Sequence, residues 1–577
     1  MIQNFKALKF ESLVFFVTLY FSSITSKLFY NSYVSPDFEK YIIYINYFTN
    51  KGSTPDLDQG VLYFYIVSLF LNASKSIMNP NNQELIYSLA VQNANLFLYI
   101  IGMFGLYKLL KLYKYKNNDI LILFSVLNML PILFAIRVTM KPEILAFSLI
   151  SWIIYFLKLY KDKKKFLYLY STIPMLSILF TSKGSILGLT VVLLLLFFAK
   201  DIFEIFKSHF AKGVTILLVF IIFLIPIYIE NNQITNSGVL SYEPPLEYRN
   251  TAPLSIIYSF DLNEFLNKPV RNSQAESFLG LTLLDTFGDY FQLYWEYEYS
   301  LTNTSRKEIL KSGDFKIDFY YKEVYLPVSE RFLNLEYYRI YISVLFTVLF
   351  YIFLIKSIIS KNYDKERKVF FLLPFTGMAL LIFQVTTGIP SQNWDPSKGD
   401  TLKPFYYSFL FVLSFSFLFI ENVKKIERNR KLILLIPLFF IYIFLIGFPK
   451  ANNSSFDNQL IYRNQHMASC EINNLFLKVN LFETENIECK ENYELFCDKS
   501  LFTNGDLQMS NEQGVIEVAS IETCRKLFEN NYQFENEAIS LTNTPFVNLI
   551  YFALTILILI FNETKIWQQR ARMKSSK

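Results

Sequence analysis

Over 577 residues the chain is 53% hydrophobic and only 18% charged, with 60 Phe and 40 Tyr. That excludes a string of soluble globular domains, which could not hide so much apolar surface. The net charge of +6 invites a nucleic-acid reading, but the basic residues fall in separate clusters between apolar runs, so the charge is a topology device.

A bilayer-crossing helix needs about 20 mostly apolar residues. On that criterion the sequence predicts an all-α polytopic membrane protein of about 12 transmembrane helices. They lie near 10–30, 85–107, 119–136, 143–160, 166–182, 184–199, 213–230, 337–356, 368–388, 404–421, 432–448 and 546–562. The first reads as a retained span, because it is long, holds Lys27 and precedes no small-residue cleavage motif. Alternate connections carry the lysines and arginines, at 6–9, 108–116, 161–165, 200–212, 361–368, 424–431 and 570–577. The positive-inside bias then puts both termini in the cytoplasm, in a bacterial cytoplasmic (inner) membrane.

The apolar run Val61–Leu71 is too short to span. It reads as an interfacial helix within a first outer loop, 31–84. A transmembrane domain, 1–448, also contains a large outer loop at 231–336. Turn signals there include Glu243-Pro244-Pro245 and Lys268-Pro269. Residues 449–545 form an extracytoplasmic segment before the last helix and its basic tail, 546–577. All four cysteines, Cys470, Cys489, Cys497 and Cys524, lie in that segment. An even number in one outer loop fits two disulfides of undetermined pairing. A zinc site competes weakly, lacking CxxC spacing and having only His466 nearby. The stretch from Gly514 to Ser520 reads as a strand, making the segment a small α/β unit.

Topology places one set of charges at the outer ends of spans. Asp37 and Glu39 follow the first span. Arg137, Lys141 and Glu143 lie between the third and fourth, and Lys183 between the fifth and sixth. Asp395, Lys398, Asp400 and Lys403 lie between the ninth and tenth. Lys and Arg at that depth suit the phosphate of a lipid carrier. A carboxylate beside them suits removal of a proton from an attacking hydroxyl, while cations stabilise the departing phosphate. Each residue also has a plainer role open to it. Asp37 could cap a helix and Glu39 favour its dipole. Arg137, Lys141 and Lys183 could anchor to headgroups, and Lys398 and Lys403 could be ordinary loop charges. Asp56 and Asp58 read as solvated loop acids. Asn93, Asn95 and Asn128, within spans, read as bonding between helices.

Other chemistries lack their residues. There is no GxxxxGK[ST] loop, Gly-rich dinucleotide fingerprint, HExxH or Gly-x-Ser-x-Gly elbow, and only two histidines, His209 and His466. ATP-driven transport and serine-triad hydrolysis are therefore disfavoured.

The arrangement resembles the GT-C superfamily of membrane glycosyltransferases, in particular the protein O-mannosyltransferase and lipid A aminoarabinose transferase group. The residues that carry the resemblance run in order. They are Asp37, Glu39 and Tyr41, Gly52 and Pro55, then Gly60-Val61-Leu62-Tyr63-Phe64-Tyr65. Arg137 with Pro142-Glu143, Thr181-Ser182-Lys183-Gly184 and the 231–336 loop follow. Lys403-Pro404-Phe405-Tyr406-Tyr407 stands where the group has a His-Arg-Tyr-like motif. The resemblance implies a sugar moved from a polyprenyl-phosphate donor to a lipid, glycan or protein hydroxyl at the extracytoplasmic face. By that resemblance Asp37 would be the base, and Arg137, Lys183 and Lys403 would hold donor phosphate; the outer-end placement adds Lys141 and Lys398 to the phosphate set and Glu39 as helper to Asp37. Some members need a divalent ion, for which Asp37 and Glu39 are the candidate ligands.

Two other classes fit the same spans. A glycan polymerase or ligase of the O-antigen type would centre its chemistry on large-loop residues such as Arg249, Arg271 and Glu276. A transporter would bury ionisable groups at mid-membrane between broken helices.

Overall fold

The structure is a computed structural model. It describes residues 38–50, 55, 60–77, 83–138, 140–182, 184–235, 251–267, 274, 276–287, 296–301, 321–326, 330–388, 408–426, 470–472, 475–477, 507–511 and 514–518. The spans expected at 10–30, 432–448 and 546–562 lie outside these residues. So do Cys489, Cys497 and Cys524.

The helices in chain order are α1 (Phe38–Asn50), α2 (Val61–Ile77), α3 (Gln83–Leu112), α4 (Asn117–Met129), α5 (Pro131–Val138), α6 (Ile144–Lys163), α7 (Leu167–Ser182), α8 (Gly184–Ser208) and α9 (Phe210–Thr235). After a 3-10 turn at Leu254–Ile257 come α10 (Leu262–Asn267), α11 (Phe278–Asp285), α12 (Glu330–Ile359), α13 (Lys365–Thr387) and α14 (Ser408–Ile426). Two-stranded antiparallel hairpins pair β1 (Glu296–Leu301) with β2 (Tyr321–Leu326), β3 (Cys470–Ile472) with β4 (Leu475–Leu477), and β5 (Leu507–Asn511) with β6 (Gly514–Val518). The strand expected from Gly514 is thus half of a hairpin.

Among the described residues six helical stretches are long and apolar enough to cross a membrane: Leu89–Leu112, Ile144–Lys163, Ile186–Ser208, Phe210–Ile234, Tyr341–Ile359 and Lys365–Thr387. Shorter apolar helices cover Val61–Ser76, Leu167–Ser182 and Phe409–Asn422. These lengths and compositions are those of an integral membrane protein.

Two sequence expectations change. The apolar run 119–136 is not one helix. Proline disfavours a helical conformation in the residue before it, and Leu130 is extended at φ −69, ψ 133. The chain therefore stops at Met129 and restarts with Pro131 in the first helical position, where its missing N–H costs nothing. The helix starting at Val61 also runs past Leu71 to Ile77, for 17 residues. It buries Tyr63, Phe64, Val67 and Leu71 and exposes Tyr65 and Leu69, which makes it two-faced.

Packing centres on α3 against α6. A Cβ at Gly102 would lie 2.7 Å from the Phe147 ring, so only glycine lets that ring sit against the helix. Tyr99 and Phe147 stack at 5.2 Å, and the Trp152 indole N–H donates to the Ile101 carbonyl at 2.9 Å. Helices α13 and α14 pack through Phe370 and Phe417, stacked at 3.8 Å.

The two ends of the bundle differ in chemistry. At one end the lysine-bearing connections converge. Lys158 bridges Asp162 at 2.8 Å and Glu366 at 2.9 Å, joining α6 to α13. The Tyr115 hydroxyl donates to Glu421 at 2.7 Å, joining the α3–α4 loop to α14. Lys164 bridges Asp201 at 3.2 Å, joining the α6–α7 loop to α8. The basic connections at 108–116, 161–165, 200–212 and 361–368 thus share one end, as the positive-inside pattern requires.

Candidate functional site

The opposite end gathers α1, α2 and the connections α5–α6 and α7–α8. Helix α1 starts at Phe38, immediately after Asp37. Its Tyr41 and Tyr44 rings pack on Phe64 of α2 at 5.1 and 4.4 Å. Further along α1, Asn46 accepts a hydrogen bond from the Tyr87 hydroxyl at the start of α3. Tyr47 faces the Glu230 carboxylate of α9. Burial first, and then the Glu230 carboxylate, raises the Tyr47 phenol above its ordinary value. Three rows of contact therefore fix α1 over the bundle end.

Tyr63 of α2 is the hub. Its hydroxyl is fully buried, donates to Asn95 Oδ1 at 2.8 Å and takes a hydrogen bond from the Lys141 backbone N–H. Glu143 lies close enough to act on it electrostatically. Asn95 Nδ2 donates in turn to the Arg137 carbonyl at 3.2 Å, in the last turn of α5. Helix C-termini leave four carbonyls without intrahelical partners, and Asn95 satisfies one of them. Asn128 likewise joins α4 to α3, accepting from the Tyr99 hydroxyl at 2.6 Å. The reading of Asn95 and Asn128 as interhelical bonders therefore holds.

Arg137 is buried, 3% exposed. The break at Leu130 folds α5 back, so that Arg137 Nη2 reaches the Asn128 carbonyl at 2.9 Å. A cation at a helix C-terminus gains from both the open carbonyl and the dipole. The guanidinium also sits 5.1 Å from the Tyr99 ring centroid. Lys141 is less buried, and its ammonium lies 5.6 Å from the Tyr41 ring centroid. Glu143 is buried just before the first turn of α6, where the helix dipole favours a carboxylate.

The α7–α8 connection reaches the same place through α2. The Gly60 N–H donates to the Ser182 carbonyl at 2.6 Å. A Cβ on Gly60 would lie 2.3 Å from the Thr181 oxygen and 2.5 Å from Ser182 Cα. The loop entering α2 therefore runs in direct backbone contact with the residues flanking Lys183.

Of the residues singled out in the sequence, the structure brings Arg137, Lys141 and Glu143 beside α1 and α2. Glu39 lies in the first turn of α1, and only its backbone is described. Asp37, Lys183, Lys398 and Lys403 lie outside the described residues. No group of three or more metal-ligating side chains is found among the described residues. Sequence reasoning missed Tyr63 and Tyr99 as the groups that knit the site. The only sign of Tyr63 was its place in the stretch after Gly60.

No family model matches the chain, and no curated protein matches it either. The chain is similar to solved structures of ArnT from Cupriavidus metallidurans. One, bound to undecaprenyl phosphate, covers 74% of this chain and 79% of its own at 10% identity, with a TM-score of 0.29. The other, in the apo state, covers 72% and 78% at 10% identity, with a TM-score of 0.28. An overlap that loose transfers neither fold nor chemistry, and the functional reading rests on the residues of this chain.

Proposed function

We propose that the chain is a membrane glycosyltransferase that moves a sugar from a polyprenyl-phosphate donor to an acceptor hydroxyl, with its active site at the end of the bundle opposite the lysine clusters. One observation carries the reading. The Lys141 ammonium lies over the ring of Tyr41, four residues beyond Asp37. A cation from one short connection thus sits beside the helix that begins at the acidic pair. The Gly60–Ser182 contact holds the end of α7, the residue before Lys183, against the entry to α2.

In this reading Asp37 takes the proton from the acceptor hydroxyl as it attacks the anomeric carbon. The bond from that carbon to the phosphate oxygen breaks, and Lys141 and Lys183 stabilise the charge left on the phosphate. Glu39 assists Asp37. Buried Arg137 holds the α5–α6 connection in shape and adds positive potential behind it. Lys398 and Lys403 would approach the phosphate from the α13–α14 connection.

The test is sugar transfer by the full chain reconstituted in lipid vesicles with a polyprenyl-phosphate sugar. Asp37→Asn should insert normally and lose turnover by at least about a hundredfold, the scale of a general base. Full turnover in that variant refutes the assignment. Loss in Arg249→Ala or Arg271→Ala with Asp37→Asn unaffected would instead favour the polymerase or ligase chemistry of the large loop.

A further inference from the structure

We propose that the lysine end carries a built docking surface for anionic phospholipid headgroups, at the corner where the α6–α7 loop meets the α8–α9 joint. This goes beyond the transfer reaction and does not depend on it.

The corner is assembled by specific contacts. Lys164 takes a left-handed conformation, φ 53, with its N–H on the Tyr160 carbonyl at 2.7 Å. That turns the chain sharply after α6 and spreads three consecutive lysines, 163–165, at the surface. Phe166 then packs edge-on against His209 at 5.6 Å, and the Lys212 ammonium lies 4.3 Å from the Phe166 ring centroid. Lys161 and Lys164 reach Asp201 at 3.8 and 3.2 Å. Two loops far apart in sequence thereby become one surface.

Its charge is one-sided. Residues 161–165 and 200–212 hold seven lysines against Asp162, Asp201 and Glu204, a net of +4. The acids are partly occupied, since Lys158 also takes Asp162 and Lys200 lies 3.9 Å from Glu204. Lys165 and Lys207 are exposed, and no acid among the described residues pairs with either.

The surface is also apolar where a bilayer would meet it. Leu167, Phe203 and Phe210 are 69%, 69% and 67% exposed beside these lysines. Helix α9, which starts there, exposes Leu218 and Ile222 along its length. Exposed aromatics among flexible cations suit the boundary between acyl chains and headgroups. A soluble polyanion would match the cations and leave the aromatics in water. An anionic lipid satisfies both, and its leaflet attracts juxtamembrane lysines.

The test uses the full chain in nanodiscs of equimolar phosphatidylcholine and phosphatidylglycerol, with retained lipid counted by native mass spectrometry. The wild type should retain phosphatidylglycerol preferentially. Each lysine in contact with a bound headgroup is worth up to about fivefold in such a preference. Neutralising Lys163, Lys165, Lys207 and Lys212 to Gln should therefore lower it by at least about tenfold. A matched variant at another corner of the same end, with Lys114, Lys116, Lys361 and Lys365 changed to Gln, should keep it. All eight side chains are exposed, so both variants should fold, and Lys207→Glu alone provides a second measure. Equal loss in the matched variant, or no loss in the first, overturns the proposal. Displacement of the lipid by inorganic phosphate would overturn it too, because the corner would then be a plain anion site.

Discussion

The contact between Gly60 and Ser182 gives the sharpest prediction, because it holds the entry to α2 against the α7–α8 connection. Changing Gly60 to Ala adds one methyl group. That carbon would lie 2.3 Å from the Thr181 oxygen, 2.5 Å from Ser182 Cα and 2.8 Å from the Ser182 oxygen. All three are backbone atoms, so no side chain can swing away. Overpacking of this kind costs about 1–3 kcal/mol. The strands of chain must part, which also weakens the Gly60 N–H bond to Ser182 at 2.6 Å, worth about 1 kcal/mol. The total is about 2–4 kcal/mol. The control is Gly188→Ala, whose new methyl meets only the Leu380 side chain, at 3.3 Å. Thermal unfolding of both variants in the same detergent, followed by sugar transfer in vesicles, checks the reasoning. Gly60→Ala should melt clearly below the wild type and transfer poorly, and Gly188→Ala should stay close to it. Equal melting of Gly60→Ala and the wild type would refute the close approach itself.

Tyr63→Phe should cost about 1–3 kcal/mol in thermal unfolding, because it removes the buried hydroxyl that donates to Asn95. Combining it with Asn95→Leu should recover part of the loss in a double-mutant cycle. Arg137→Gln should destabilise by about 2–4 kcal/mol, since the Asn128 carbonyl and the Tyr99 face lose a buried cation; Arg137→Lys should recover little, because one ammonium cannot replace the planar fork. At the lysine end, burial and then Glu366 raise the Tyr113 phenol, and burial and then Glu421 raise Tyr115. Both stay protonated in the folded state where the unfolded chain ionises, from the ordinary tyrosine value of 10.0 upward. Their contribution is therefore complete below that pH and is lost as pH rises above it. Alkaline unfolding of a Tyr113→Phe, Tyr115→Phe variant should show a shallower pH slope than the wild type; an equal slope refutes it.

Much of this architecture was legible because its signals are local. An apolar run long enough to cross a bilayer announces itself through composition, and clustered lysines announce which ends lie together. The described spans and the shared end of Lys108–Lys116, Lys161–Lys165 and Lys361–Lys368 followed from that alone. The break at Pro131 was also written in the chain, yet the unbroken apolar pattern around it masked a single steric effect. What the sequence could not settle is which short connections meet. Tyr63 and Asn95 are 32 residues apart, and Gly60 and Ser182 much farther. Nothing local links them, because helix neighbours in a bundle are chosen by how side chains and glycines fit across the whole interface. The same holds for Arg137. Its sequence shows a cation at a helix end, free to face headgroups or phosphate. Only the folded chain turns it inward onto Asn128 and Tyr99, because the break at Leu130 aims α5 back at the open carbonyls of α4.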